Sequence, residues 1–134
     1  MSLFQSKKRE PIRIQVRYVL EGDEVRVLVD DEKAKEGQEV IEEEFVFRRP
    51  LWGDTRYVMS AASSLGEDGI NIDPYKFIDA RIKRLIEDWS FKNEKGKKVS
   101  VNEQNIDQLP PDVINYVNSQ LDQNPIISKA FGNQ

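Results

Sequence analysis

From Ile12 to Leu20 every second residue is apolar (Ile12, Ile14, Val16, Tyr18, Leu20), and Arg13, Gln15 and Arg17 stand between the first four. Alternation at period two demands an extended chain with one face on a core and the other in water. A single such strand cannot exist alone, so it needs a partner strand and a layer to cover its apolar face. Glu21-Gly22-Asp23 supplies the turn and Val25, Val27 and Val29 restart the alternation, which predicts an antiparallel hairpin. The charged segment from Asp30 to Gln38, with Gly37, reads as an exposed loop. Val40-Ile41 and Phe45-Val46-Phe47 form a third apolar run, interrupted by Glu42-Glu43-Glu44 and ended by Arg48-Arg49-Pro50. The triplet predicts a third strand of weaker register, its carboxylates guarding an edge or facing a basic partner.

Beyond Pro50 the period changes. Asp54 is placed to cap a helix carrying Tyr57, Val58, Ala61, Ala62 and Leu65 on one face, and Gly66-Glu67-Asp68-Gly69 breaks it into a linker. Asp73-Pro74 then combines an N-cap with proline at the first helical position. Tyr75, Ile78, Ile82, Leu85, Ile86 and Trp89 follow at helical spacing, the strongest such stripe in the chain. Ser90-Phe91-Lys92 and Val99-Ser100-Val101 flank a polar stretch containing Gly96, which predicts a small hairpin over 90–101. Asn102 caps a short turn bearing Ile106 and Leu109. Pro110-Pro111-Asp112 opens a last helix with Val113, Ile114, Val117 and Leu121, and Asn124-Pro125 ends it. The tail from Ile126 to Gln134 is apolar enough to dock and too short to fold alone.

The expectation is therefore an α+β fold in a single domain over 1–134. It has a basic arm (1–10), an antiparallel β-meander (11–49), a helical part with a hairpin (51–122) and a tail (123–134), with two to three helices packing the sheet.

Composition narrows function by subtraction. The 134 residues include no Cys and no His, so thiol nucleophiles, disulfides, Cys-ligated metal and the commonest general base are excluded. No phosphate loop or dinucleotide fingerprint is present, and Ser60, Ser63 and Ser64 lack a nucleophile elbow. Asp68, Asn71 and Asp73 lack the ligand series of a calcium loop. These readings predict a non-enzymatic protein with no catalytic residues, no cofactor and no metal. No stretch approaches the ~18 apolar residues of a membrane span, so no membrane is expected among its partners.

The net charge of −4 hides a segregated chain. Lys7, Lys8, Arg9, Arg13 and Arg17 precede a long acidic stretch ending in Glu42-Glu43-Glu44. The basic residues offer a nucleic-acid contact, but the adjacent carboxylates repel the same phosphates, and nucleic acid is not the expected partner. Opposed halves also suit contacts between copies, as in a homo-oligomer or multi-copy assembly. For contact with a protein partner, aromatic anchors are the first candidates: Trp52, Tyr57, Trp89 and Phe91, with Arg48 and Arg49 beside the acidic run.

Trp89-Ser90-Phe91-Lys92-Asn93-Glu94-Lys95-Gly96-Lys97, followed by Val99, Val101, Asn105-Ile106, Leu109-Pro110 and Val113, resembles a pattern of small tailed-bacteriophage morphogenesis proteins, tail assembly chaperones in particular. The likeness covers about residues 73–122 and consists of core and turn positions. It implies binding of the tape-measure protein and coordination of tail-tube polymerisation. The phage tail or other virion proteins are then the partners, the host cytoplasm the site of action, and the virion itself an alternative location. A minor structural virion protein (connector, tail-tube or baseplate component) is the alternative function. A nucleic-acid-binding adaptor, or an inhibitor presenting Glu42-Glu43-Glu44 to a host enzyme, stands further back.

Overall fold

Strand β1 (Ile12–Glu21) turns at Gly22, whose φ of 68° is the positive value required at the first position of a two-residue hairpin loop. Strand β2 (Glu24–Leu28) returns beside it, with Tyr18 opposite Val27 and Leu20 opposite Val25. This computed structural model describes residues 9–132; Lys7 and Lys8 of the expected basic arm lie outside them.

Strand β3 (Ile41–Phe47) pairs with the other edge of β1, not with β2. With Ile86–Trp89 as strand β6, the antiparallel sheet therefore runs β2-β1-β3-β6, an order different from a simple meander. The register runs unbroken from Ile12 opposite Phe47 to Tyr18 opposite Ile41. The acidic triplet fixes that register instead of weakening it. On the outer face Glu44 lies opposite Gln15 and accepts hydrogen bonds from it and from Arg13, the latter at 2.7 Å. On the inner face Glu43 lies opposite Val16 and accepts from the Ser90 hydroxyl. The strand on the other side of β3 pairs with Phe45, Val46 and Phe47 alone, so Glu42 and Glu43 lie where β3 has only β1 beside it, the open stretch an edge-guarding carboxylate would occupy.

The buried stripe of β1 is shorter than its alternation. Ile12, Ile14 and Val16 are buried, whereas Leu20 is 55% exposed beyond the reach of the helices. On the opposite face Val19 and Leu28 are buried instead. There the 29–38 loop is tied down by Arg17, which donates to the Asp30 and Glu32 carbonyls, and by Arg26, paired with Glu21 and Glu32.

Helix α1 (Trp52–Ala62) ends before Leu65, and the expected linker is a two-stranded ribbon of β4 (Ser63–Gly66) and β5 (Gly69–Ile72). Helix α2 (Pro74–Leu85) begins at its Asp73 cap as expected, yet stops four residues before Trp89. Ile86–Trp89 is strand β6, antiparallel to β3 with Phe45 opposite Trp89. The open edge of β3 and its phenylalanines outweigh the helical spacing, which over so short a window cannot separate the two conformations. Helix α3 (Glu103–Asp107) is capped by Asn102, and α4 (Pro111–Gln123) buries Val113, Val117 and Leu121. The tail is helix α5 (Pro125–Phe131), capped by Asn124 and docked through Ile127 and Phe131.

The hairpin over 90–101 is a backbone turn with one bridge, Lys92 to Lys98, and no strands of its own. Asn93 holds its tip by accepting from the Lys95 and Lys97 amides. One core joins the inner face of the sheet (Ile12, Ile14, Val16, Phe45, Phe47, Trp89) to Val58, Ile82, Leu85 and the buried face of α4. The fold is α+β, with the helices gathered on that face.

Candidate interaction surface

The loop after β3 is fastened to both helices that follow by one buried carboxylate. Asp54, at the third position of α1, is 3% exposed. It accepts from both terminal nitrogens of Arg48 (Nη2 at 2.6 Å), from Arg84 Nε at 2.9 Å and from the Leu51 amide at 2.9 Å. Arg48 also donates to the Arg84 carbonyl at 3.1 Å. Burial pushes the Asp54 carboxyl up. The hydrogen bonds from Arg48, the Leu51 amide and Arg84 outweigh burial and hold its pKa at about 2.

The sign follows from that depression. An unfolded-state value near 3.8 leaves the carboxylate's stabilisation whole above about pH 4, and it is lost as pH falls through about 2. The contribution is on the order of 2 kcal/mol. Urea unfolding of wild type and Asp54→Asn at pH 5 and pH 2 is expected to show the gap between them closing on acidification. A gap of equal size at both pH values would contradict this assignment.

Arg84, so held, lies over the Tyr57 ring with its guanidinium carbon 4.5 Å from the centroid. Tyr57 is half exposed and, with Arg48, Lys76, Lys83 and Arg84, lines a shallow groove of about 450 Å³. Three of its cations have carboxylate partners: Lys83 pairs with Asp79 at 2.9 Å and with Asp107 at 2.7 Å, while Asp54 answers both arginines. At the start of α1, Leu51 and Trp52 are 67% and 75% exposed. Trp52 and Tyr57 are five residues apart, about 140° around the helix, so they sit on different flanks of α1.

The six sequence-derived contact residues thus separate. Arg48 and Tyr57 come together through Asp54 and Arg84, and Trp52 stands free on the same helix. Arg49 is apart, donating through Nε to the Glu10 carbonyl at 2.8 Å. Trp89 and Phe91 belong elsewhere, in an edge-to-face cluster with Phe45 at ring separations of 5.3–6.2 Å. Trp89 is 2% exposed and its indole donates to the Val99 carbonyl at 2.7 Å. It is a core residue, and its side chain is not offered to a partner.

The other chemistry considered from sequence has structural placements. Asp73 spends its carboxylate on the amides of Tyr75 and Lys76. The Ser63 hydroxyl donates to the Met59 carbonyl. Among the described residues no group of three acidic side chains is placed to hold a metal ion, and no helix is long and apolar enough to cross a membrane. Arg13 and Arg17 are engaged by their own sheet and loop.

Sequence reasoning missed a second surface. Leu65 and Ile70 are paired across the β4–β5 ribbon, with Ile72 on the same face, and all three are exposed. Ile72 also lines a groove of about 540 Å³ with Met59, Phe77 and Phe131. Its floor holds Arg81, only 2% exposed, which donates to Asn118 Oδ1 at 2.7 Å and Asp122 Oδ1 at 2.8 Å. Phe77 and Phe131 flank its guanidinium at 4.8 and 5.7 Å. The available signal was the Gly66-Glu67-Asp68-Gly69 turn, with Leu65 before it and Ile70 and Ile72 after it. Comparison with protein-family models, curated proteins and solved structures found no match to this chain.

Proposed function

We propose that this chain is a non-enzymatic tailed-phage assembly protein, tail assembly chaperone-like, working through protein–protein contacts with tail proteins. The family likeness of residues 73–122 supports the class of function. The observation that carries a contact role is the exposed Leu51-Trp52 pair on a helix whose first turn is fastened by Asp54. A large aromatic held in water on a rigid frame is the form that interface anchors take.

Co-expression with the tape-measure and tail-tube proteins of the encoding phage, followed by affinity measurement, tests the reading. Trp52→Ala is expected to weaken the complex by roughly 30-fold, as loss of a 2 kcal/mol anchor does. Melting should stay within about 0.5 kcal/mol of wild type, as for an exposed site. Affinity unchanged by both Trp52→Ala and Tyr57→Ala, or no complex with either protein, would overturn it. The four-stranded sheet, larger than a mostly helical chaperone needs, favours the second reading, a minor structural virion protein.

A further inference from the structure

The β4–β5 ribbon stands out from the rest of the fold. Two-stranded hairpins are marginal in water without a layer to cover them. Here, among the described residues, no layer lies over the face bearing Leu65 (89% exposed), Ile70 (71%) and Ile72 (44%). Its strands, Ser63-Ser64-Leu65-Gly66 and Gly69-Ile70-Asn71-Ile72, contain no charged residue; the charges sit in the turn, Glu67 and Asp68. The edge strands of the main sheet differ, with Glu24 and Arg26 in β2 and Glu87 and Asp88 in β6. Charges of that kind keep an edge from pairing with another chain, and the ribbon's two strands have none.

The chain carries both halves of a contact that it cannot make with itself. The ribbon tip presents branched aliphatic side chains with no pocket to enter. The ribbon base, through Ile72, opens into the groove of Met59, Phe77 and Phe131. Tip and base are two residues apart on each strand, a fixed separation of roughly 7 Å, so the tip cannot fold into its own groove. A two-fold axis between two copies lays each tip over the other's base and satisfies both at once. The three ribbon side chains are 44–89% exposed in each copy. With the groove walls they meet, the pairing buries on the order of 1,000 Å² in total, the lower limit for a specific interface.

We infer that the β4–β5 ribbon is a self-association arm: two copies pair face to face about a two-fold axis, with Leu65 and Ile70 of each seated in the groove at the other's Ile72. For an interface at that lower limit a weak association, with a dissociation constant on the order of micromolar, is the expected result. This pairing is independent of the Trp52 contact, on a different part of the surface.

Sedimentation velocity of the full chain from about 1 to about 300 μM brackets a micromolar constant. The mass is expected to rise from 15.6 kDa toward twice that value. Leu65→Asp should hold the chain at 15.6 kDa throughout while leaving the melting transition of the main domain in place. Because the chain has no Cys, a Leu65→Cys, Ile72→Cys double variant adds a test that tolerates a locally disturbed ribbon. Mild oxidation should give a disulfide-linked dimer, whereas Leu20→Cys, exposed on β1, should not. A constant monomer mass for wild type, or a dimer that survives Leu65→Asp, overturns the inference. So does cross-linking through Leu20→Cys but not through the ribbon pair.

Discussion

Trp89→Ala is expected to lower stability by roughly 3–5 kcal/mol, the cost of emptying a large aromatic site in a packed core. Trp89 is 2% exposed and meets Phe45 and Phe91 edge to face. Its indole also satisfies the Val99 carbonyl across the 90–101 turn. Truncation removes the ring contacts, opens a cavity and leaves that carbonyl without its donor. The last residue of β6 is anchored by this side chain, so the loss spreads to the β3–β6 pairing and the turn. The melting temperature should fall by roughly 10–20 °C, by the usual scaling for a chain of this size. Calorimetry checks this directly. A shift of less than about 1 kcal/mol combined with loss of partner binding would return Trp89 to the surface.

Asp54→Ala is expected to cost about 3 kcal/mol, as removal of one member of a buried ion pair does. Two guanidinium groups, Arg48 and Arg84, would face each other without their shared carboxylate, and the Leu51 amide would lose its acceptor. The partners are about one-third exposed, so water recovers part of their solvation and keeps the loss below that of a fully enclosed pair. Asp54→Asn, which retains an acceptor oxygen but no charge, should fall between alanine and wild type. Denaturant unfolding of the three proteins checks the order. Equal stability of Asp54→Ala and wild type would contradict the role given to this carboxylate. Because Asp54 also sets the posture of Arg84 over Tyr57, the alanine variant should weaken partner binding through position as well as through stability.

The β1–β2 hairpin, the Asp73 cap and the buried stripe of α4 could be read from the chain, because each is dictated by contacts within a dozen residues. Period two, an Asx cap and the spacing of Val113, Val117 and Leu121 are local signals. The strand order is not local. Whether β3 lies beside β1 or β2 depends on matching Glu44 to Arg13 and Gln15, some thirty residues away. The end of α2 was hidden for the same reason: Leu85, Ile86 and Trp89 keep helical spacing, and only the phenylalanines of β3 reveal that Ile86–Trp89 is extended. The ribbon was hidden by its length, since four-residue strands carry too few positions to show a period.

Which of the aromatic residues are exposed was legible only in part. Aromatic identity selected Trp52 and Tyr57, which are exposed, and equally Trp89 and Phe91, which pack against Phe45. Composition cannot separate an anchor from a core ring; burial can. Arg48 was chosen for its charge beside the acidic run, yet its carboxylate partner is Asp54. The acidic triplet belongs to the sheet's own register, and neither charge nor aromatic content marks the apolar ribbon of Leu65, Ile70 and Ile72.

The proposed assembly role is tested most directly by quantitative mass spectrometry of purified mature phage particles against the lysate of the producing cells. An assembly protein that acts on tail proteins and then leaves should be abundant in the lysate and absent from the particles. Presence in particles at a fixed, symmetry-related copy number would contradict that role and make the chain a structural component of the virion.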